Sequence, residues 1–489
     1  MLWIEGYLEQ YSVAPGETIR LLASANVRWC SIEIHREGLA PVCVHRETRI
    51  EIGQHPIPSL PWETGAQWPV CWEFKIPANW PSAAYRIDLI GGGISTEVQF
   101  TRWSQLRARH SILLIVRTLQ PGSASKVLLQ LSTNTYRAYN SWGGRSVYAY
   151  NSKDALSPRV SVLRPGHGYC GDSLSHAEFP QWELPFVRWC EREGIALEFA
   201  ANEDIHCWPA GFDSYNLILS AGHDEYWSAG MRDNLEAFIA RGGNAAFFSG
   251  NSVCWQIRYE DGLRTMVCYK YDYQSDPAYK DGRHRDVTTL WSHPLLKRPE
   301  NQLTGVGFPM GGYHRFFGQF MDSPGAYTVR NSKHWIFEKT GLHQGETFGG
   351  VKTPPPATAP FALAQQNFYG PAEVAIPRPI LGYEADGCRY REVDGKPVPT
   401  GEDGTPLNFE ILAQCPVRWF GTEITETAAV ESGVAQTGCA TMGIYKRPGG
   451  GSVFTAGTSD WACGLDRDRA VQQITRNVLD RLCKREARE

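Results

Sequence analysis

No stretch of this 489-residue chain approaches the ~20 consecutive apolar residues that a bilayer-spanning helix needs. The longest apolar runs, such as 112–116, have the length of buried strands. An excess of charge is missing too: 48 Lys and Arg face 52 Asp and Glu, with no long run of either sign. That excludes a nucleic-acid binder held by a basic surface. The thirteen cysteines are an odd, scattered set from Cys30 to Cys483 with no CxxC pair. A disulfide framework is not expected, and a reducing cytoplasm is the simplest setting. The opening MLWIEGYLEQ has an early acid and no apolar leader core, so export by a standard leader is not expected. GxSxG, HExxH and GxxxxGK[ST] are absent as well. With them go the serine-hydrolase elbow, the common zinc sites and the P-loop.

What is present is an ordinary globular composition, 42% hydrophobic and 20% charged. The length suggests about three domains, or two if one is large. Seventeen Trp, 21 Tyr and 20 Phe fit large cores, while 48 Gly and 31 Pro mark many turns and long loops. In residues 1–105, short alternating segments recur at 18–23, 31–35, 70–76, 84–90 and 96–101, separated by Pro/Gly-rich turns. This rhythm predicts a small antiparallel, Ig-like β-sandwich, although no antibody-type Cys–Trp–Cys pattern occurs. It holds no catalytic cluster. A packing or oligomerisation module is the plain reading, and a sugar- or partner-binding face the alternative.

From residue 106 the pattern becomes α/β. Apolar runs at 111–116, 127–131, 160–163 and 195–199 read as strands covered on both faces. A helix is expected over 183–193. The run 216–220 leads into Ala221-Gly222-His223-Asp224-Glu225-Tyr226-Trp227. Ser228 can then cap a helix through Ile239 that ends at Gly242-Gly243, before a strand at 244–248. This is a βαβ unit of a parallel sheet, and the polar residues fall at the carboxyl ends of its strands, where such sheets bind ligands. Residues 260–410 are irregular, with a linker at 353–360 (TPPPATAP). A late strand at 453–456 precedes an amphipathic helix over 469–482, which carries Val471, Ile474, Val478 and Leu482 on one face.

Four segments could carry chemistry. His223-Asp224-Glu225 invites a metal or an acid/base pair, against the plainer account of carboxylates decorating a first helical turn. Residues 135–148 (TYRAYNSWGGRSVY) read as a loop, because they lack apolar periodicity and contain paired glycines. Residues 380–386 (ILGYEAD) set two acids behind an apolar run, where a turn is the plain account. Residues 450–462 are a Gly-rich lead-in to a strand.

Together TYRAYNSWGGRSVY, AGHDEYWS, FFSGNS, LGYEAD and GGGSVFTAGTSDWACGL with ITRNVLDRL resemble, in order over residues 106–489, the large (β) subunit family of N,N-dimethylformamidase. The resemblance implies a class I glutamine-amidotransferase-like (flavodoxin-like) parallel sheet with β-rich insertions. The chain is shorter than the archetypal large subunit, and an extra N-terminal β domain is not expected. The family's enzymes hydrolyse a small N-substituted amide at a mononuclear iron held by two tyrosines and a glutamate. On that basis Glu225 is the iron-binding glutamate, and Tyr139 and Tyr148 are the tyrosinates, with Tyr136 and Tyr150 as rivals. His223, Asn251 and Lys270 match nearby active-site polar residues, and Glu384 matches the catalytic acid/base. A small partner subunit and a homo-oligomer are implied possibilities; nucleic acid and membrane are not expected partners.

The chemistry is coherent on its own terms. Ferric iron prefers anionic oxygen ligands, and a bound cation favours the phenolate of a tyrosine whose free pKa is ~10. Glu384 could then shuttle a proton while His223 and Asn251 orient water or an oxyanion. For His223 and Glu225 to share one site, the chain must turn between them, and a turn is predicted. Two other readings remain open: a metal-free, Cys-dependent amidotransferase-like enzyme using Cys254, and a non-catalytic binding or scaffold protein.

Overall fold

The computed structural model describes residues 2–91, 108–169, 178–316, 319–320, 325–351, 378–418 and 437–484. The expected strand at 96–101 and the linker at 353–360 lie outside the described residues.

The N-terminal segments pair as their alternation requires. Ile4–Leu8, Thr18–Ala25 and Val70–Lys75 form a three-stranded antiparallel sheet. Ser12–Val13, Ala108–Val116, Ala83–Gly91, Trp29–Arg36 and Val42–Glu51 form a five-stranded one. Trp29–Arg36 alternates buried and part-buried residues along its length, the mark of a strand with one covered face. Leu8, Leu21, Ile32, Ile87 and Leu113 from the two sheets share one core. The run 111–116, expected to open the parallel sheet, belongs instead to this N-terminal unit, where it pairs antiparallel with Ala83–Gly91. Continuous burial does not tell the two settings apart: the strand is covered on both sides in either.

The large sheet has eleven strands. Five run parallel in the order Glu198–Ala201, Val127–Leu131, Leu217–His223, Asn244–Gly250 and Ser452–Thr455. Beyond these it continues antiparallel through Thr437–Lys446, Glu410–Arg418, Gly307–Tyr313 and Glu384–Gly387. Every residue of Leu217–His223 and Asn244–Gly250 is buried, as both-face coverage demands. The helix Ala229–Ala240 joins these two strands into the expected βαβ unit, and Ser228 Oγ accepts from Met231 N at its start. Helix Arg469–Leu482 is capped by Asp468 and buries Val471, Ile474, Val478 and Leu482. Among the described residues, no helix is long and apolar enough to cross a membrane, and the twelve described cysteines are free thiols.

Two expectations change. Val160, read as part of the parallel series, sits in Arg159–Ser161, which pairs antiparallel with Thr265–Val267 in a separate four-stranded sheet. Residues 135–139, read as the start of a loop, lie in the helix Thr133–Tyr139. All seven of its residues are buried, so it has no wet face to generate periodicity. Several of its polar groups find partners inside the protein instead: Asn134 Nδ2 donates to the Tyr226 carbonyl, and Arg137 pairs with Glu203.

Candidate active site

The strand Leu217–His223 ends at Gly222-His223, with Gly222 at φ +79°, and the chain turns before Tyr226–Ser228. A side chain at Gly222 would collide with Trp182, which lies 2.4 Å from the ideal Cβ position. The turn brings alternate residues of the triplet to one place: His223 Nε2 lies 3.3 Å from Glu225 Oε2. Asp224 faces the other way. It accepts from Gln130 Nε2 and Ser220 Oγ, at 2.5 and 2.8 Å, and burial pushes its pKa up to about 6.

Glu225 is the hub of the cluster. Tyr139, at the end of the buried helix, donates its hydroxyl to Glu225 Oε2 at 2.9 Å. Tyr148 donates to Glu225 Oε1 at 2.7 Å and lies 2.9 Å from the Tyr139 hydroxyl. Trp255 Nε1 donates to the same Oε1 at 2.8 Å. The Glu225 backbone N–H is held by Thr135 Oγ1 at 3.0 Å. Tyr226 donates to the Tyr148 hydroxyl at 2.6 Å. Lys270, at φ +54°, sets its Nζ 3.0 Å from the centre of the Tyr148 ring.

A second carboxylate closes the cluster. Glu384 opens the strand Glu384–Gly387, which replaces the expected turn, and its Oε2 lies 2.7 Å from His223 Nε2. Asn251 Nδ2 donates to the same oxygen at 3.1 Å. Asn251 Oδ1 is buried and has no hydrogen-bond partner among the described residues. All six side chains at Tyr139, His223, Glu225, Asn251, Lys270 and Glu384 are buried, and Tyr148 is half-buried.

Burial and charge set opposite tendencies in this cluster. Burial raises the Tyr139 and Tyr148 hydroxyls well above their usual range, and the Glu225 charge raises them further. Burial would lift Glu225 as well, but His223 and Lys270 outweigh it and hold that carboxyl low. Burial opposes a charge on His223, yet the facing Glu384 and Glu225 raise its pKa well above the usual value. Glu384 stays raised because burial and the Glu225 charge exceed the help from His223.

With this geometry in view, residues 35–475 match the family described as N,N-dimethylformamidase beta subunit-like, C-terminal. The chain belongs to this family. The match begins at residue 35, inside the N-terminal β unit, and so reaches further than the motifs alone. The N,N-dimethylformamidase beta subunit of Paracoccus aminophilus is 24% identical over 207 residues, 38% of this chain and 24% of that protein. The protein of the same name from an Alcaligenes species is 21% identical over 353 residues, 67% of this chain and 39% of that protein. The matched part is under two fifths of each relative's length.

Among the dimethylformamidase-family residues expected here, Tyr139, Tyr148, His223, Glu225, Asn251, Lys270 and Glu384 all converge. The two rival tyrosines are placed differently. Tyr136 donates to Glu183 at 2.5 Å, and Tyr150 is 39% exposed with its ring 5.5 Å from that of Tyr148. Cys254 is buried in the turn after Asn244–Gly250, and burial holds its thiol well above the usual pKa. That is the opposite of an activated nucleophile. Sequence reasoning missed Trp255, Tyr226, Thr135 and Asp386. Thr135, Tyr226 and Asp386 lie inside the quoted motifs, but the role of each depends on partners far away in the chain. Among the described residues, no three His, Cys, Asp or Glu side chains group as a metal site; the convergent donors are two phenols and one carboxylate.

Proposed function

We propose that this protein is an iron-dependent amidohydrolase that cleaves the C–N bond of a small N-substituted amide. The observation that carries the reading is the convergence of the Tyr139 and Tyr148 hydroxyls, 2.9 Å apart, on the two oxygens of the buried Glu225 carboxyl at 2.9 and 2.7 Å. These oxygens converge without an intervening side chain, and a hard cation bound there would replace their shared protons. Phenolate and carboxylate are also the donors that a ferric ion prefers to thiolate or imidazole. Tyr139, Tyr148 and Glu225 would hold the iron, which when bound supplies a Lewis acid for an amide carbonyl and for water.

The chain's own residues supply the rest. Glu384, raised by burial, is suited to take a proton from water and pass it to the leaving amine. His223 Nε2 lies between Glu384 and Glu225, at 2.7 and 3.3 Å, and pairs electrostatically with both. The free Asn251 Oδ1 is available to orient a water or an amide N–H. Trp255 and Tyr226 direct their donors at Glu225 and Tyr148 and hold the ligand set in place. Aromatic rings at Tyr139, Trp182 and Tyr383 pack 5.6–5.9 Å from the His223 ring.

The parallel-sheet core is read as glutamine-amidotransferase-like, and the N-terminal unit as Ig-like. Both curated relatives are named as beta subunits, and by analogy we propose association with a partner subunit or a second copy. The deciding experiment is metal analysis with a visible spectrum, followed by amine release from N,N-dimethylformamide and related small amides. About one iron per chain with a tyrosinate charge-transfer band is expected. A colourless protein that stays iron-free after anaerobic loading would overturn the reading.

A further inference from the structure

The loop after Asn244–Gly250 is strained in a place where strain is hard to keep. Asn251 has φ +49° and Val253 φ +58°, both left-handed, and a β-branched residue there is a true outlier. Gly250, just before it, is packed tightly against neighbouring backbone: a Cβ there would sit 2.4 Å from Ser459 N and 2.5 Å from the Glu384 carbonyl. On its far side, Val253 N and Cys254 N donate to the carbonyls of Asp224 and Glu225. On its near side both backbone N–H groups donate to one carboxyl, Asn251 N to Asp386 Oδ1 at 2.8 Å and Ser252 N to Oδ2 at 3.2 Å, while Ser252 Oγ lies 2.8 Å from Ser249 Oγ. Asp386 is fully buried, and its own N–H is fixed by the Gly457 carbonyl.

Asp386 and Glu384 are alternate residues of one strand, so both face the loop. One grips the Asn251 backbone while the other accepts from the Asn251 side chain. We propose that Asp386 is a positioning residue, whose carboxylate holds the left-handed turn at Asn251 so that the Asn251 amide fixes the Glu384 carboxyl. This rests on the amidohydrolase reading above, in which Glu384 moves the proton. Burial raises Asp386 to about 7 even though both amides favour its charged form, so the fold retains a costly group at this point.

The test compares Asp386→Asn, Asn251→Ala, the double variant and Glu384→Gln in iron-loaded full-length protein, with N,N-dimethylformamide as probe. Asparagine offers one acceptor where the loop needs two. Asp386→Asn is expected to lower kcat 10- to 100-fold, as a misplacement of about 1 Å does, with KM changed less than threefold. On an Asn251→Ala background the same change should cost less than threefold, because both act through one side chain. A kcat within twofold of wild type, or the full loss repeated on Asn251→Ala, would overturn the proposal while leaving the amidohydrolase reading intact. Full activity in Glu384→Gln would instead overturn that reading. A readout independent of turnover is hydrogen exchange at the Asn251 and Ser252 amides, expected to rise at least tenfold in Asp386→Asn. Unchanged exchange overturns the proposal whatever the probe does. Should Asp386→Asn fail to fold, Asp386→Ser is read the same way.

Discussion

Tyr148 and Glu225 are 77 residues apart in the chain, yet the Tyr148 hydroxyl donates to Glu225 Oε1 at 2.7 Å inside the protein. Tyr136, twelve residues before Tyr148, sends its hydroxyl to Glu183 instead, at 2.5 Å. The two tyrosines therefore make a matched pair of probes. Tyr148 bonds a carboxyl that is held low, whereas the Glu183 partner of Tyr136 is raised to about 8 by burial; Tyr148→Phe should therefore destabilise the metal-free protein by ~1.5–3 kcal/mol and Tyr136→Phe by ~0.5–1.5 kcal/mol in chemical denaturation at pH 7. Only Tyr148→Phe should also lose bound iron and the charge-transfer band. Iron loss in Tyr136→Phe with retention in Tyr148→Phe would reverse the assignment.

The legible part of this site was local. Ser228 as a cap, the helix behind it and the strand at 244–248 follow from residues next to one another, and they place His223 and Glu225 at strand ends. The helix Arg469–Leu482 was equally plain, because its apolar face repeats at 3.6 residues and its opposite face is wet. The helix Thr133–Tyr139 was not, since burial on every side erases that period. The strand Ala108–Val116 was misplaced because a doubly covered strand looks the same in an antiparallel unit as in a parallel sheet. Partners such as Trp255 with Glu225, or Asp386 with Asn251, lie 30 and 135 residues apart. No local pattern encodes such pairs; they exist only once the sheet order is set.

His223 is the cation between two buried carboxylates, 3.3 Å from Glu225 and 2.7 Å from Glu384. Removing one member of a buried ionic set leaves the others uncompensated, at a cost of ~3–5 kcal/mol. His223→Ala should therefore lose about that much stability in urea titration. Adding Glu384→Gln should recover part of it, since the neutral amide needs no counter-charge. If the double variant is less stable than His223→Ala alone, the imidazole is not serving as the counter-ion.

Cys254 distinguishes the metal reading from a thiol enzyme. Its side chain is buried and its thiol is held well above the usual pKa, while Cys43 and Cys207 are exposed. Iodoacetamide on the native protein should label Cys43 and Cys207 and leave Cys254 untouched, with amide hydrolysis retained. Rapid alkylation of Cys254 accompanied by loss of activity would restore the cysteine mechanism.

Asp468 offers a control remote from the chemistry. Its Oδ1 accepts from Ala470 N and Val471 N at the start of the last helix, and its Oδ2 accepts from Gly349 N. Asp468→Ala removes the cap and this cross-chain tie, so a loss of ~1–2 kcal/mol is expected. Iron content and kcat should not move at a temperature where the variant is folded. A fall in iron content would mean that this helix supports the metal site more directly than its contacts suggest.

Glu300 makes stability depend on pH. Burial raises its carboxyl from 4.5 to about 8, with Asp386 and Asp403 adding to the rise and Arg232 opposing it. Neither carboxyl oxygen has a hydrogen-bond partner among the described residues. The folded protein thus keeps a proton that the unfolded chain releases above about pH 4.5. Between these two values the native state binds more protons, so unfolding free energy falls as pH rises and levels off above about 8. Glu300→Gln cannot titrate, and its urea midpoint should fall less steeply from pH 5 to 8 than that of the wild type. Glu183, also raised to about 8 by burial, leaves a residual slope that the Glu183→Gln/Glu300→Gln double variant should reduce further. An unchanged slope in Glu300→Gln would place the Glu300 proton transition outside this range and remove the burial argument for it.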